Sequence, residues 1–308
     1  MEKNSKIYVA GHTGLAGSAI VRELKRQGYK NLILKTHAQL DLRNQEATKK
    51  FFEQEKPEYI FDAAAKVGGV KANAEKPAEF IYDNLQIQNN LIHFSLKYEI
   101  KKFLFLGSNC VYPVNAEQPF KEESLMAGPV ESTNEPYAVA KIAGIKLGQA
   151  YAKQYGLNFI TLIPCSLFGP NDNFDLESSH LVPALIRKFH EAKINNSECV
   201  NLWGTGESSR EIMYVDDAAK AAIFLMNTYN SQEPLNAGIN SDYTINEIAL
   251  MIKKIIDFRG EIKYEGKKLS GIKRKIINSE KIYALGWKPE TSIIEGLKET
   301  YNWFKSAH

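Results

Sequence analysis

The chain has 308 residues, enough for two domains or one large α/β unit with a sizeable buried core. Hydrophobic residues make up 44% and charged residues 24%, which excludes a disordered, collagen-like or disulfide-framework chain. Lys and Arg total 39 against 36 Asp and Glu, and a net charge of +3 is too weak to argue for nucleic acid as a partner.

The segment Met1 to Ser5 is polar and leads straight into a strand. No apolar run approaches the roughly 18 residues that a membrane span needs, and no signal-peptide core precedes a cleavage site. Three widely spaced cysteines, Cys110, Cys165 and Cys199, suit a reducing compartment. The expectation is a cytoplasmic protein with free thiols. No His or Cys spacing matches a zinc site, so no metal is expected.

Short apolar runs follow at Ile7 to Ala10, Asn31 to Leu34, Tyr59 to Asp62, Phe103 to Leu106 and Phe159 to Ile163, with amphipathic segments between them. This alternation predicts an α/β fold with a doubly wound parallel sheet of the Rossmann type. Pro113, Pro119, Gly128 and Pro129 punctuate the stretch from Ser108 to Glu135, too long for an idle connection and placed directly after a strand end. Open α/β sheets bind ligands at such strand ends.

After Pro164 the rhythm loosens. A helix is predicted from His180 to Lys193, a strand from Val200 to Trp203, and helices over Asn246 to Phe258 and Ile293 to Phe304. Met213 to Asn227 and Leu235 to Ile239 are expected to return to the sheet. The resulting division gives residues 1–165 and 211–240 to a dinucleotide-binding domain. Residues 166–210 and 241–308 form a second, smaller substrate-binding lobe.

Gly11-His12-Thr13-Gly14-Leu15-Ala16-Gly17 follows the first strand and opens a helix. Its glycines permit a tight turn and close backbone approach, and the helix N-terminus can hold a pyrophosphate. Gly11, Thr13, Gly14, Leu15 and Gly17 are therefore candidate cofactor contacts, although their spacing differs from the usual dinucleotide fingerprint. At the end of the second strand stands Lys35-Thr36-His37 in place of an acid. A cation there favours the 2′-phosphate of NADP over the bare ribose of NAD. Asp41 lies a little further on and is placed to meet the adenine amine or to cap a loop.

Tyr137 and Lys141 are four residues apart in a helical pattern, so they share a face. A nearby ammonium lowers the cost of a phenolate and tunes the Tyr as a general acid for a ketone oxygen. Ser108 ends a strand at the carboxyl edge of the sheet, where its hydroxyl could donate to the same oxygen. A Tyr-x-x-x-Lys pair is common by chance. Together with the glycine turn and a strand-end Ser in chain order it becomes specific.

With these residues in place, the chain resembles the extended short-chain dehydrogenase/reductase family, and within it the GDP-L-fucose synthase branch. The carrying stretches are Ala10-Gly11-His12, Ala63-Ala64-Ala65-Lys66-Val67-Gly68-Gly69, Phe105-Leu106-Gly107-Ser108, Cys110-Val111-Tyr112-Pro113 and Thr133-Asn134-Glu135-Pro136-Tyr137-Ala138. Further matches, among them Ser179-His180, Trp203-Gly204, Arg210-Glu211 and Val215-Asp216-Asp217, extend the resemblance over essentially the whole chain. It implies NADPH-dependent reduction of the 4-keto group of a GDP-linked sugar. Tyr137 would protonate the oxygen, with Ser108 and Lys141 assisting, and Ala64 would join the cofactor contacts. Cys110 and His180 would be the base and acid that invert carbons 3 and 5 before reduction. Asn109, Lys188, Trp203 and Arg210 would bind the substrate. The resemblance also implies a homodimer built on helices near Pro77 to Lys97 and Tyr137 to Tyr155.

Several positions depart from that branch. Thr13 and His37 stand where it typically has arginines, Ser166 replaces a usual Asn, and Lys188 a usual Arg. Ser270-Gly271-Ile272-Lys273 replaces an Asp-Gly-Thr-Pro-like turn. The departures cluster where sugar and diphosphate should sit, and they point to a GDP-4-keto-heptose made for capsule or surface polysaccharide. A reductase acting after a separate epimerase would not need Cys110 and His180 as catalysts. A 4,6-dehydratase is argued against by Asn109 and Cys110, since it wants carboxylates after the strand-end hydroxyl. A redox-neutral 4-epimerase and a non-catalytic NADP-binding protein stay as alternatives.

Overall fold

The computed structural model describes residues 1–266 and 272–307. The first strand, β1 (Ile7–Ala10), is buried along its whole length and leads into α1 (Leu15–Arg26). Next come β2 (Leu32–Ile33), α2 (Gln45–Glu55), β3 (Tyr59–Asp62), α3 (Val70–Glu75), α4 (Pro77–Lys97) and β4 (Lys102–Leu106). A long helix, α5 (Glu135–Tyr155), then precedes β5 (Phe159–Pro164). Pro136 in its first turn has no N–H to lose, and Gly156 in the left-handed conformation ends it.

The remaining elements are β6 (Ser166–Phe168), α6 (Leu181–Ile194), β7 (Cys199–Leu202), β8 (Ser209–Arg210), β9 (Ile212–Tyr214) and α7 (Val215–Thr228). They are followed by β10 (Leu235–Ala237), β11 (Tyr243–Thr244), α8 (Ile245–Ile256), β12 (Glu261–Tyr264), β13 (Arg274–Lys275), α9 (Glu280–Ala284) and α10 (Ile293–Ala307). The main sheet runs β10-β5-β4-β3-β1-β2, with every pairing parallel. Parallel strands need crossovers, and the amphipathic helices supply them: α1 packs with α7, and α4 packs with α5 and α2. The predicted Rossmann-type sheet is thus present.

Two expectations are corrected. The second strand covers only Leu32–Ile33, because it is an edge strand that pairs with β1 alone. Of the two segments expected to rejoin the sheet, only Leu235–Ala237 does so, beside β5. Ile212–Tyr214 pairs instead with β6 in a separate ribbon, and the residues after it form α7.

A second apolar cluster, including Phe168, Phe189, Ile212, Ile252 and Leu297, gathers α6, α8 and α10 with the short ribbons β7/β12 and β11/β8/β13. A capping box starts α8, with Thr244 and Glu247 bonding each other's backbone N–H at 3.1 and 2.7 Å. The segment 241–308 is divided between the two clusters: Ile277, Ile282 and Trp287 pack into the core of the main sheet. Ser270 and Gly271 lie outside the described residues. Among the described residues, no helix is long and apolar enough to cross a membrane.

One buried carboxylate joins the pieces. Glu211, fully buried between β8 and β9, accepts backbone N–H bonds from Ile239 at 2.7 Å, Asn240 at 2.8 Å and Ile277 at 2.9 Å. Burial raises its pKa to about 7, opposed by those three donors. Glu211→Ala would strand three donors, and each unmet buried N–H costs on the order of 1–3 kcal/mol. Urea denaturation is expected to show an unfolding free energy lower by about 3 kcal/mol or more.

Candidate active site

The carboxyl ends of β1 and β3 meet where the strand order reverses, and the glycine turn sits there. Gly11 has φ +74°, and a Cβ on it would lie 2.7 Å from the Ala63 carbonyl oxygen. A Cβ on Gly17 would run into the Gly11 carbonyl. Both positions therefore require glycine, and together they press the turn against Ala63 and Ala64. Gly14 caps α1 with no side-chain hydrogen bond, so the first-turn N–H groups have no capping side chain and face outward for an anion. Thr13 and Gly14 are exposed at the rim. A dinucleotide pyrophosphate fits this cradle.

Beyond it, β4 ends at Leu106 and Ser108 caps a 3₁₀ turn over Asn109–Val111, its hydroxyl accepting from the Cys110 N–H at 3.3 Å. Tyr137, in the first turn of α5, is hydrogen-bonded by the Ser108 hydroxyl. Lys141 follows one turn later, buried, its Nζ donating to the Leu106 carbonyl at 2.8 Å and lying 4.6 Å from the centre of the Phe105 ring. Burial pulls Lys141 down to about 8, while the Asp62 carboxylate pushes it back up. On the Tyr137 phenol, burial outweighs any pull from Lys141. Burial drives the Tyr137 pKa well above its ordinary value, and Cys110 adds to the rise. The phenol is therefore neutral and holds the proton that a general acid must give.

Cys110 is the second focus. Its sulfur accepts from Asn134 Nδ2 at 3.1 Å and from Lys275 Nζ at 3.4 Å. Lys275 also lies 3.9 Å from the Glu131 carboxylate, and Arg210 senses both Glu131 and Cys110 while burial lowers its pKa. Arg210 is held by its Nη1 donating to the Ser209 carbonyl at 2.7 Å. Asn109 is buried with Nδ2 unpartnered, as is Asn134 Oδ1. His180 caps α6 beside the unpartnered Ser179 hydroxyl. The residue is exposed, its ring donates to the Gly68 carbonyl, and desolvation holds its pKa below the ordinary value, opposed by that bond.

Ser108, Tyr137, Lys141, Cys110 and Arg210 thus converge. Other expected residues have local partners. Lys188 donates to the Asn201 carbonyl at 3.0 Å and sits 5.4 Å from the ring centre of Trp203, which is half exposed. Lys35 forms an ion pair with Glu55 at 2.7 Å, so its ammonium already faces a carboxylate. Asp41 is bound by Arg43 at 2.8 Å, which holds its carboxyl below the usual range. Sequence reasoning missed Lys275, Asn134 and Asp62. Asn134 directly precedes Glu135-Pro136-Tyr137, but Lys275 reaches the site only because β13 pairs with β8.

A family model described as the NAD dependent epimerase/dehydratase family matches residues 7–238, which span the glycine turn, Ser108, Tyr137 and Lys141. The chain belongs to this family. Among its relatives, GDP-L-fucose synthase 1 of Arabidopsis thaliana is 51% identical over 303 residues, covering 98% of this chain and 94% of that one. Within the family the fold is close to a GDP-6-OMe-4-keto-L-xylo-heptose reductase from C. jejuni, with TM-score 0.96 and 39% identity over 100% and 99% of the two chains. A GDP-mannoheptose C4 reductase from Campylobacter jejuni with NADP bound matches with TM-score 0.91 and 41% identity over 99% of each chain.

Proposed function

We propose that this chain is an NADP-dependent oxidoreductase that reduces the 4-keto group of a GDP-4-keto-hexose or GDP-4-keto-heptose. The observation that carries the reading is the Ser108 hydroxyl bonded to a neutral Tyr137 phenol, with the Lys141 ammonium one turn away, at the sheet edge beside the glycine cradle. When bound, NADPH supplies the hydride, and Gly11, Gly14, Leu15, Gly17 and Ala64 would hold its phosphate side.

The chain's own residues manage the proton. Tyr137 donates to the ketone oxygen as negative charge develops there, and Ser108 donates to the same atom. Lys141 keeps a positive charge close to the phenol as it gives up its proton. Arg210 offers a guanidinium to the diphosphate, and Lys188 with Trp203 would line the nucleotide or sugar. Burial around Tyr137 limits water at the reacting carbon.

A second reading adds inversion at carbons 3 and 5 before reduction. It is favoured by the Cys110 sulfur, which accepts from both Asn134 and Lys275 as a base would. A 4-ketone acidifies the hydrogens on both neighbouring carbons, and His180 at the start of α6 would be the second proton carrier. The relatives include enzymes named for fucose and for heptose sugars, which supports GDP-sugars as the class and leaves the sugar to experiment.

We place the reaction in the cytoplasm, in the supply of sugars for capsule or other surface polysaccharide, with no nucleic acid partner. We also propose a homodimer through α4 and α5, whose outer faces expose Tyr82, Val139 and Tyr155. The main sheet with its cradle would be the cofactor side and the second cluster the substrate side.

The deciding measurement is proton NMR in deuterated water with NADPH and either GDP-4-keto-6-deoxymannose or a GDP-4-keto-heptose, with nicotinamide absorbance followed in parallel. Oxidation of NADPH is expected, and its absence with every GDP-4-keto sugar would overturn the reading. Deuterium at carbons 3 and 5 before oxidation establishes the epimerase; oxidation without exchange establishes a reductase alone. Tyr137→Phe is expected to lower kcat by about 100-fold or more, the usual worth of a positioned general acid.

A further inference from the structure

Asp62, the last residue of β3, is fully buried. One carboxylate oxygen accepts the Ala64 N–H at 3.2 Å, and the other has no hydrogen-bond partner. An ionised carboxylate in such a place is costly unless a cation compensates it. Lys141 is the cation whose charge acts on it, and the sheet register gives the side it comes from. Asp62 lies opposite Phe105 of β4 and Ala10 of β1, so the three side chains share one face. Ala10 leaves room beside the carboxylate, and the Lys141 ammonium descends from α5 onto the same Phe105 ring.

The charged and titratable groups that act on Asp62 or feel it are Tyr8 on β1 and Lys141 on α5. Gln88 of α4 braces α5 one residue before Lys141, its Nε2 donating to the Ala140 carbonyl at 2.7 Å. Lys141 is the cation of this set.

We propose that Asp62 is the buried counter-ion that keeps the Lys141 ammonium charged and fixed one helical turn from Tyr137, a positioning residue that acts through Lys141 and does not touch substrate. The kinetic consequence rests on the reductase reading; the ion pair itself does not. Burial pushes Asp62 up to about 6 and Lys141 down to about 8, and each charge restrains the other's shift. Between those values the pair carries one negative and one positive charge. Loss of the carboxylate removes an anion that favours the ammonium, so Lys141 gives up its proton at lower pH.

The test is a carbon-13 NMR titration of the lysine ε-carbons, with the Lys141 signal assigned by its disappearance in Lys141→Arg. In Asp62→Asn the Lys141 midpoint is expected to fall by about one pH unit, the size of shift that one close opposite charge produces. Coupling is reciprocal, so Lys141→Met should raise the midpoint of the Asp62 carboxyl, read from its own carbon-13 signal. That second arm decides the matter if Asp62→Asn does not fold. An unmoved midpoint in a folded variant overturns the proposal. With active enzyme, Asp62→Asn should shift the alkaline limb of kcat to lower pH while KM stays put. Wild-type protein that turns over no GDP-4-keto sugar would sink the reductase reading, while the titration midpoints would still decide whether the ion pair exists.

Discussion

The cleft depends on one carboxylate. Glu211 sits where the short ribbon carrying Arg210 and Lys275 meets the end of the main sheet, and its two oxygens gather N–H groups from the chain after β10 and from Ile277. Those N–H groups belong to connecting segments that no ladder satisfies, and a buried N–H demands a partner. By meeting that demand, Glu211 brings two stretches distant in sequence to one side of the sheet edge. Arg210 and Lys275 then approach Cys110 from that ribbon, while Ser108 and Tyr137 approach it from the end of β4 and the start of α5.

Desolvation organises the chemistry inside that cleft. The same removal of water that keeps the Tyr137 phenol protonated draws the Lys141 ammonium toward neutrality. A neutral phenol is a proton donor, and a charged lysine near it eases the loss of that proton. The fold keeps both states at once by placing an acid at the end of β3, within the sheet register that also positions Phe105 under the lysine. Groups of opposite electrostatic preference thus share one low-dielectric site.

The nucleotide end is less committed. Lys35 and Asp41, which sequence reasoning assigned to the cofactor, are held by Glu55 and Arg43. These are surface ion pairs of small strength, and a phosphate could compete with them. The glycine turn is different, because its shape is dictated by backbone contacts with Ala63 and Ala64 that no side chain could share.

Much of this was legible along the chain. Periodicity marked β1, β3, β4 and β5 because strands buried on both faces read as short continuous apolar runs. The glycine turn, Ser108, and the Tyr137 and Lys141 pair were legible because each depends on spacing within one local element. The two-residue edge strand β2 and the fate of Met213 to Asn227 were not, since pairing partners decide them. Nor were Lys275, Asn134 and Asp62, whose roles arise from neighbours far away in sequence. Local spacing determines which residues share a turn or a helix face, and so the sequence alone determined the sheet, the cradle and the Ser-Tyr-Lys set. Burial and charge pairing are properties of packed neighbours, and so only the tertiary structure decided that the phenol is neutral, that Cys110 is held by a lysine, and that a buried acid stands beside Lys141.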